Sequence, residues 1–235
     1  MDLPKYRLSQ HAFLCVARRY CVVLDARNDR YLAIKTDLMK SLGPWLDGWA
    51  GPPVTTGADS TIHGLASNLC RREILTSSTG LGKPVQPQFI PAGMQAAAAG
   101  SRAVSGTELM SHGFNFLRAV AHTRRLFKAG SFETIARKVT ATREQGVYMA
   151  NPDRDYEGYL ASVFKQCRPF YNRPLVCLFD SVCLLNFLAL YGFYPSIVFA
   201  VIPEPFQAHC WLQEDEWVLN DSLERVDAYT PIMRI

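Results

Sequence analysis

Apolar residues come in short alternating or continuous runs over the first part of the chain. AFLCVA (Ala12–Ala17) and YCVVLD (Tyr20–Asp25) are rich in β-branched and aromatic side chains, ARND supplies turn residues, and RYLAIK (Arg30–Lys35) follows. This pattern predicts three strands joined by tight turns. The spacing then lengthens to that of a helix. Thr36-Asp37 can cap a short helix carrying Leu38, Met39 and Leu42, with Gly43-Pro44 as its stop. From Asp59 or Ser60 to about Leu75, Ile62, Leu65, Ala66 and Leu69 recur on one helical face.

The pattern fades over Thr76–Glu108, a stretch rich in Gly, Pro, Ala and Ser that reads as a mobile linker, with a short helix expected at MQAAAAGSRA. From about Leu109 helical periods return. FNFLRAVAHTRRLFKAG is closed by Gly130, SFETIARKVTATRE begins at Ser131, and DYEGYLASVFKQCR carries Tyr159, Val163 and Phe164. LVCLFDSVCLLNFLALYG is apolar nearly all round and predicts a buried helix. The runs SIVFAVI, FQAHCWLQ and EWVLND follow as strands, the last two folded into a hairpin. Helices leading into an antiparallel sheet make an α+β fold. The organisation expected is an N-terminal domain over 1–80, a linker over 81–108 and a second domain over 109–235.

Composition narrows the class. With 235 residues, 49% hydrophobic and 20% charged, the chain has the make-up of a soluble globular protein. The net charge of +4 is mild, and Lys and Arg occur in short clusters such as Arg18-Arg19, Arg71-Arg72 and Arg124-Arg125, so nucleic acid is not an expected partner. Seven cysteines, an odd number with no CxxC spacing and no His-x-x-x-His, argue against a disulfide framework and against zinc. Reduced thiols in a cytoplasmic protein are expected, with no metal and no cofactor. The N-terminus has no apolar segment of signal-peptide length. Val182–Ile202 lacks charge over a length that could span a bilayer, but Asn186 sits inside it and Gly192 and Pro195 break it, so no membrane association is expected.

Chemistry concentrates near the C-terminus. Cys177 lies three residues after Pro174, at the start of the buried helix, where unpaired N–H groups and the helix dipole favour a thiolate. His209 sits in an apolar strand and shares a face with Trp211, while Ala208 and Cys210 point the other way. With a hairpin centred near Asp215, residue 209 pairs with residue 221 to within one residue of register, which brings Asp221 beside His209. A nucleophile, a base and a group orienting the base are what thiol catalysis requires. Taken singly, each residue has a structural reading: a core histidine, a packed cysteine, an aspartate in a turn. Cys183 is read as core, and Cys15, Cys21, Cys70 and Cys167 as small hydrophobes.

At these residues the sequence resembles a known family. Cys177, Leu178 and Ser181, then Gly192, then Pro205, Phe206, Ala208, His209 and Trp211, then Asn220 and Asp221 are similar to the pattern of the transglutaminase-like cysteine peptidase domain of lasso peptide biosynthesis B proteins. The resemblance covers roughly residues 173–225 and implies Cys177, His209 and Asp221 as catalytic residues on a papain-like scaffold. CVVLDARNDRYLAI (Cys21–Ile34) resembles the hairpin of the PqqD-like precursor-recognition domain, a winged-helix-like unit, that precedes the peptidase in single-chain members. Two departures stand out. Cys210 occupies a position where a small residue is commoner, and Asp180 adds a negative charge one turn from the thiol, to raise its pKa or to cap the helix. Asn172 is a candidate oxyanion donor.

The resemblance implies a leader peptidase acting on a ribosomally made precursor, with an asparagine-synthetase-like, ATP-using cyclase as partner; the chain itself has no GxxxxGK[ST]. The leader is expected to add as a strand along Arg30, Tyr31, Leu32, Ala33 and Ile34, against Leu65, Leu69 and Arg72 of the following helix. A non-catalytic precursor-binding chaperone and an acyl transferase using the same triad are the alternatives.

Overall fold

The computed structural model describes residues 6–49, 60–77, 81–96, 104–146, 153–171 and 176–235. The chain divides into two units: Met1–Phe89 with Val201–Gln207 and Thr230–Met233, and Ile90–Ala200 with Ala208–Tyr229 and Arg234–Ile235.

In the first unit the strands fall where alternation puts them. After the short β1 (Arg7–Ser9), β2 (Ala12–Ala17), β3 (Tyr20–Asp25) and β4 (Arg30–Lys35) form an antiparallel meander. Cys15 faces Val22, and Val23 faces Leu32. Asp25 shapes the β3–β4 turn by accepting from the Asn28 backbone N–H (3.1 Å) and side-chain amide (2.7 Å). Next come α1 (Thr36–Leu42), a 3-10 turn over Gly43–Trp45, and α2 (Ser60–Arg71). Lys35 holds the cap position of α1 without a side-chain bond, so Thr36 and Asp37 are its first helical residues and not its cap. Leu14, Val23, Ile34, Met39, Leu42, Ile62, Ala66 and Leu69 close one core, the expected face of α2 included. That helix stops at Arg71 because Glu73 takes a left-handed φ of 57°. The turn directs the chain into β5 (Leu75–Thr76), which flanks β1 with β6 (Gly82–Lys83) on the other side.

The second unit opens on β7 (Gln95–Ala96), extended where a helix was expected; residues 97–103 of that expected helix lie outside the described residues. Its helices are α3 (Gly106–Ala129), α4 (Phe132–Glu144), α5 (Arg154–Cys167) and, after a 3-10 turn over Arg168–Phe170, α6 (Cys177–Ala189). A capping box between Ser105 and Glu108 starts α3 well before its apolar stripe begins. Ser131 and Asp153 cap α4 and α5. Phe179, Val182, Cys183, Leu184, Leu185, Phe187 and Leu188 leave α6 buried nearly all round, packed on α3 and α5 through pairs such as Phe127–Phe179 and Phe164–Phe187.

Strands β8 (Ser196–Pro203), β9 (Phe206–Glu214), β10 (Trp217–Val218) and, after α7 (Leu223–Asp227), β11 (Thr230–Arg234) complete a five-stranded sheet in the order β11-β8-β9-β10-β7. Val198, Ala200, Trp211, Val218 and Val226 form a core cluster there. Among the described residues no helix is long and apolar enough to cross a membrane; Val182–Ile202 is split between α6 and β8.

Candidate active site

Cys177 is the first residue of α6, half-buried, with Val176 at the cap position and no side-chain cap. The first-turn N–H groups of a helix have no partner within it, so this end is rich in donors. Ser181, one turn further on the same face and fully buried, donates to the Cys210 carbonyl at 3.5 Å, which sets that face of the helix against β9.

His209 is 8% exposed on β9 and contacts Trp211 (ring centroids 6.0 Å apart) and Tyr229 (5.3 Å). Its Nε2 bonds the Asp221 carboxylate, and the imidazole also bonds the Cys177 sulfur. With Nε2 committed to the carboxylate, Nδ1 is the nitrogen available to the sulfur. The three residues expected to form a site are therefore in contact, although the register differs by one. Trp217 faces Glu214 and Val218 faces Gln213, a register that, continued, sets residue 222 opposite His209. Asp221 reaches the ring because the strand has already ended. Leu219 still donates its N–H to Leu212 (2.9 Å), but the Leu212 N–H is accepted by the Asn220 side chain (2.7 Å). The Asn220 amide then donates to Ser181 Oγ at 3.0 Å. One side chain thus ties the segment bearing Asp221 to both β9 and α6. The Ser222 N–H donates to the other Asp221 oxygen at 2.9 Å, and the Ser222 hydroxyl caps α7.

Cys210 does not point away from Cys177 as strand alternation implied. Both its thiol and its backbone N–H bond the Cys177 sulfur. The reason is that β10 stops opposite Gln213, so β9 has an open edge beyond it, and the contact runs through that edge instead of through a sheet face. Sequence alternation describes faces only; the signal available was the unusual cysteine itself.

These contacts reverse the usual preference of a buried thiol. The Cys210 thiol donor, and then His209, outweigh burial and hold Cys177 down to about 4. The other six cysteines move the opposite way: burial pushes Cys15, Cys21 and Cys183 up to about 12 and raises Cys70 and Cys167, while donation to Cys177 together with burial raises Cys210 well above its ordinary value. For His209, burial alone would favour the neutral ring, but the bonds to Asp221 and Cys177 prevail and raise it to about 9. Burial opposes the charge on Asp221 too, and its bond to His209 and the Ser222 N–H keep it below the usual carboxylate range. The arrangement is a thiolate–imidazolium pair steadied by a carboxylate.

Asp180 does not cap α6, and its charge is not among the leading influences on Cys177, although it adds to the rise of Cys183 and Cys210. Its carboxylate accepts from Arg168 (2.9 and 3.3 Å) and from the Tyr171 hydroxyl, so its charge is met locally. Asn172 lies outside the described residues, as does Pro174. A cavity of about 660 Å³, bounded by the small residues Gly158, Ala161 and Ser162 of α5 and by Leu184 of α6, ends on Asn220 and Asp221.

In the first unit, β4 is an outer strand of the β2-β3-β4 sheet. Arg30, Ala33 and Arg72 are exposed, Tyr31, Leu32 and Leu65 half-buried, and Ile34 and Leu69 buried in the core. A polar cavity of about 260 Å³ gathers Arg30, Leu32 and Arg72 with Arg71. Ile34 and Leu69 are thus core residues rather than a surface that a strand could touch directly.

A family model described as "Transglutaminase-like superfamily" matches residues 117–234. That span begins inside α3 and includes Cys177, His209 and Asp221. No curated protein and no solved structure matches the chain.

Proposed function

The chain belongs to the transglutaminase-like superfamily, and from that premise we propose that it is a cysteine peptidase that removes the leader from a ribosomally made precursor of the lasso peptide type. The observation that carries this reading is a helix-start thiol in contact with an imidazole whose far nitrogen is held by a carboxylate. The Cys177 thiolate attacks the scissile carbonyl. His209, charged through its neighbours, gives its proton to the leaving amine as the acyl-enzyme forms, then takes one from the incoming water. Asp221 keeps the ring oriented through both steps. The N–H groups of the first turn of α6 have no partner within the helix, so they are available to an oxyanion formed at Cys177.

The leader docks by adding a strand to the outer edge of β4 along Arg30–Ile34, with exposed parts of Leu65 and Arg72 beside it. Ile34 and Leu69 support that groove from within the core. The freed core passes to the asparagine-synthetase-like cyclase. Seven free thiols, the nucleophile among them, suit the reducing cytoplasm.

The test is incubation of the full chain with the precursor peptide encoded beside its gene, followed by mass spectrometry. Separate leader and core masses are expected from the wild type and intact precursor from Cys177→Ala, which still binds the leader. Cleavage by Cys177→Ala near the wild-type rate would overturn the assignment. The same spectra decide the acyl-transferase alternative, since a core joined to an added amine differs in mass from the free acid.

A further inference from the structure

A second cavity lies at the opposite end of the nucleophile's helix. It measures about 610 Å³ and is bounded by α3, by the end of α4 and by the last turn of α6. Asn186, on its floor, is nine residues beyond Cys177, roughly 14 Å along the helix at about 1.5 Å per residue. It is therefore separate from the triad. We propose that this cavity binds a phosphate-bearing small molecule.

Charge is the first argument. Arg118, His122 and Arg125 line the cavity from successive turns of α3, and among the described residues no aspartate or glutamate lines it. Among the described residues none of the three is in an ion pair or hydrogen bond; Arg118 lies 5.8 Å from the Phe114 ring. Two other arginines of the same unit are paired: Arg154 meets Glu157 at 3.3 Å and Asp215 at 3.0 Å, and Arg168 meets Asp180 at 2.9 Å. Arg118 and Arg125 carry like charge two turns apart along α3, and an anion held between them meets both.

Shape is the second. The wall opposite α3 is built, not incidental. A Cβ on Gly146 would meet the Tyr194 ring at 2.7–2.8 Å, so the ring packs flush on the backbone there only because the residue is glycine. Arg143 Nε donates to the Tyr194 carbonyl at 3.0 Å, and the Asn186 amide donates to Thr123 at 2.9 Å, fixing wall and floor. The volume falls within the roughly 300–1,000 Å³ of small-molecule sites and exceeds what a bare phosphate needs. Guanidinium forks match phosphate oxygens two at a time, and Tyr194 and Leu190 give the organic part an apolar contact.

The inference is independent of the peptidase reading. Isothermal titration of the full-length chain with inorganic pyrophosphate and with adenosine monophosphate tests it. At least one probe is expected to bind saturably, with Kd below about 1 mM. The double substitution Arg118→Gln, Arg125→Gln is expected to weaken it about tenfold or more, while Arg137→Gln, at an exposed position of α4 outside the lining, leaves Kd unchanged. The single substitutions serve if the double one unfolds. Binding persists in Cys177→Ala, so a failed cleavage assay leaves this site untouched. Saturation by neither probe, or equal losses in Arg137→Gln and the cavity variants, would overturn the proposal.

Discussion

Cys177 is one of seven cysteines, and its sulfur alone meets both a thiol donor and an imidazole. That difference has a measurable pH signature. Below about 4 the sulfur takes up a proton and loses nucleophilicity; above about 9 His209 loses the proton that the proposed mechanism hands to the leaving amine. The kcat/KM profile is therefore expected to be bell-shaped, with alkylation of Cys177 by iodoacetamide sharing its acid limb. Cys210→Ala removes the leading donor to the thiolate, so its acid limb moves to higher pH. A limb unmoved in that variant would show that the second thiol has no part in holding the charge. Asp221→Asn keeps the shape but not the charge, and its kcat is expected to fall about 10²-fold or more, in the range ascribed to general acid–base assistance.

At the scale of elements, the site depends on where β10 ends. Asn220 stands in for the missing backbone acceptor of Leu212 and braces Ser181, so it fixes the segment that carries Asp221. Asn220→Ala is expected to lower kcat about tenfold with KM nearly constant, and to shift the alkaline limb of the profile downward as the carboxylate loosens from the ring; steady-state kinetics across pH would read both. In the first unit, Leu32→Pro removes a ladder donor from the middle of β4. Leader affinity, measured by fluorescence polarisation, is expected to drop while cleavage of a leaderless peptide continues. Equal affinity would place docking elsewhere.

Much of this was legible beforehand for physical reasons. Ala12–Ala17, Tyr20–Asp25 and Arg30–Lys35 carry β-rich runs between turn residues, and the triad members sit at a helix start, in a strand and after a hairpin. Two-residue strands such as Gly82–Lys83 and Gln95–Ala96 are too short to show any period. The meeting of Cys210 with Cys177 crosses a strand edge, which no face-counting reveals. The single-residue register difference followed from Asp215, whose left-handed φ of 49° sets a two-residue turn.

On the scale of the whole molecule, described residues of the stretch between the two expected domains pack within each unit. Val85 is fully buried in the first core. In the second, β7 pairs in parallel with β10, Met94 and Gln95 donate to the Glu216 carbonyl, Gln213 donates to the Pro91 carbonyl at 2.8 Å, and Ile90 packs on the sheet core. A C-terminal fragment starting at Ile90 is expected to melt cooperatively, and one starting at Leu109 to melt lower or to precipitate; differential scanning calorimetry compares them.

The closing strand β7 also has a bearing on handling the protein. An outermost strand denied its neighbour offers unsatisfied amides to any other chain, so a protease nick near Gln95 would turn the sheet that holds His209 into a seed for self-association. Tags, cleavage sites and fusion joints therefore belong outside 90–96, however spacer-like those residues look.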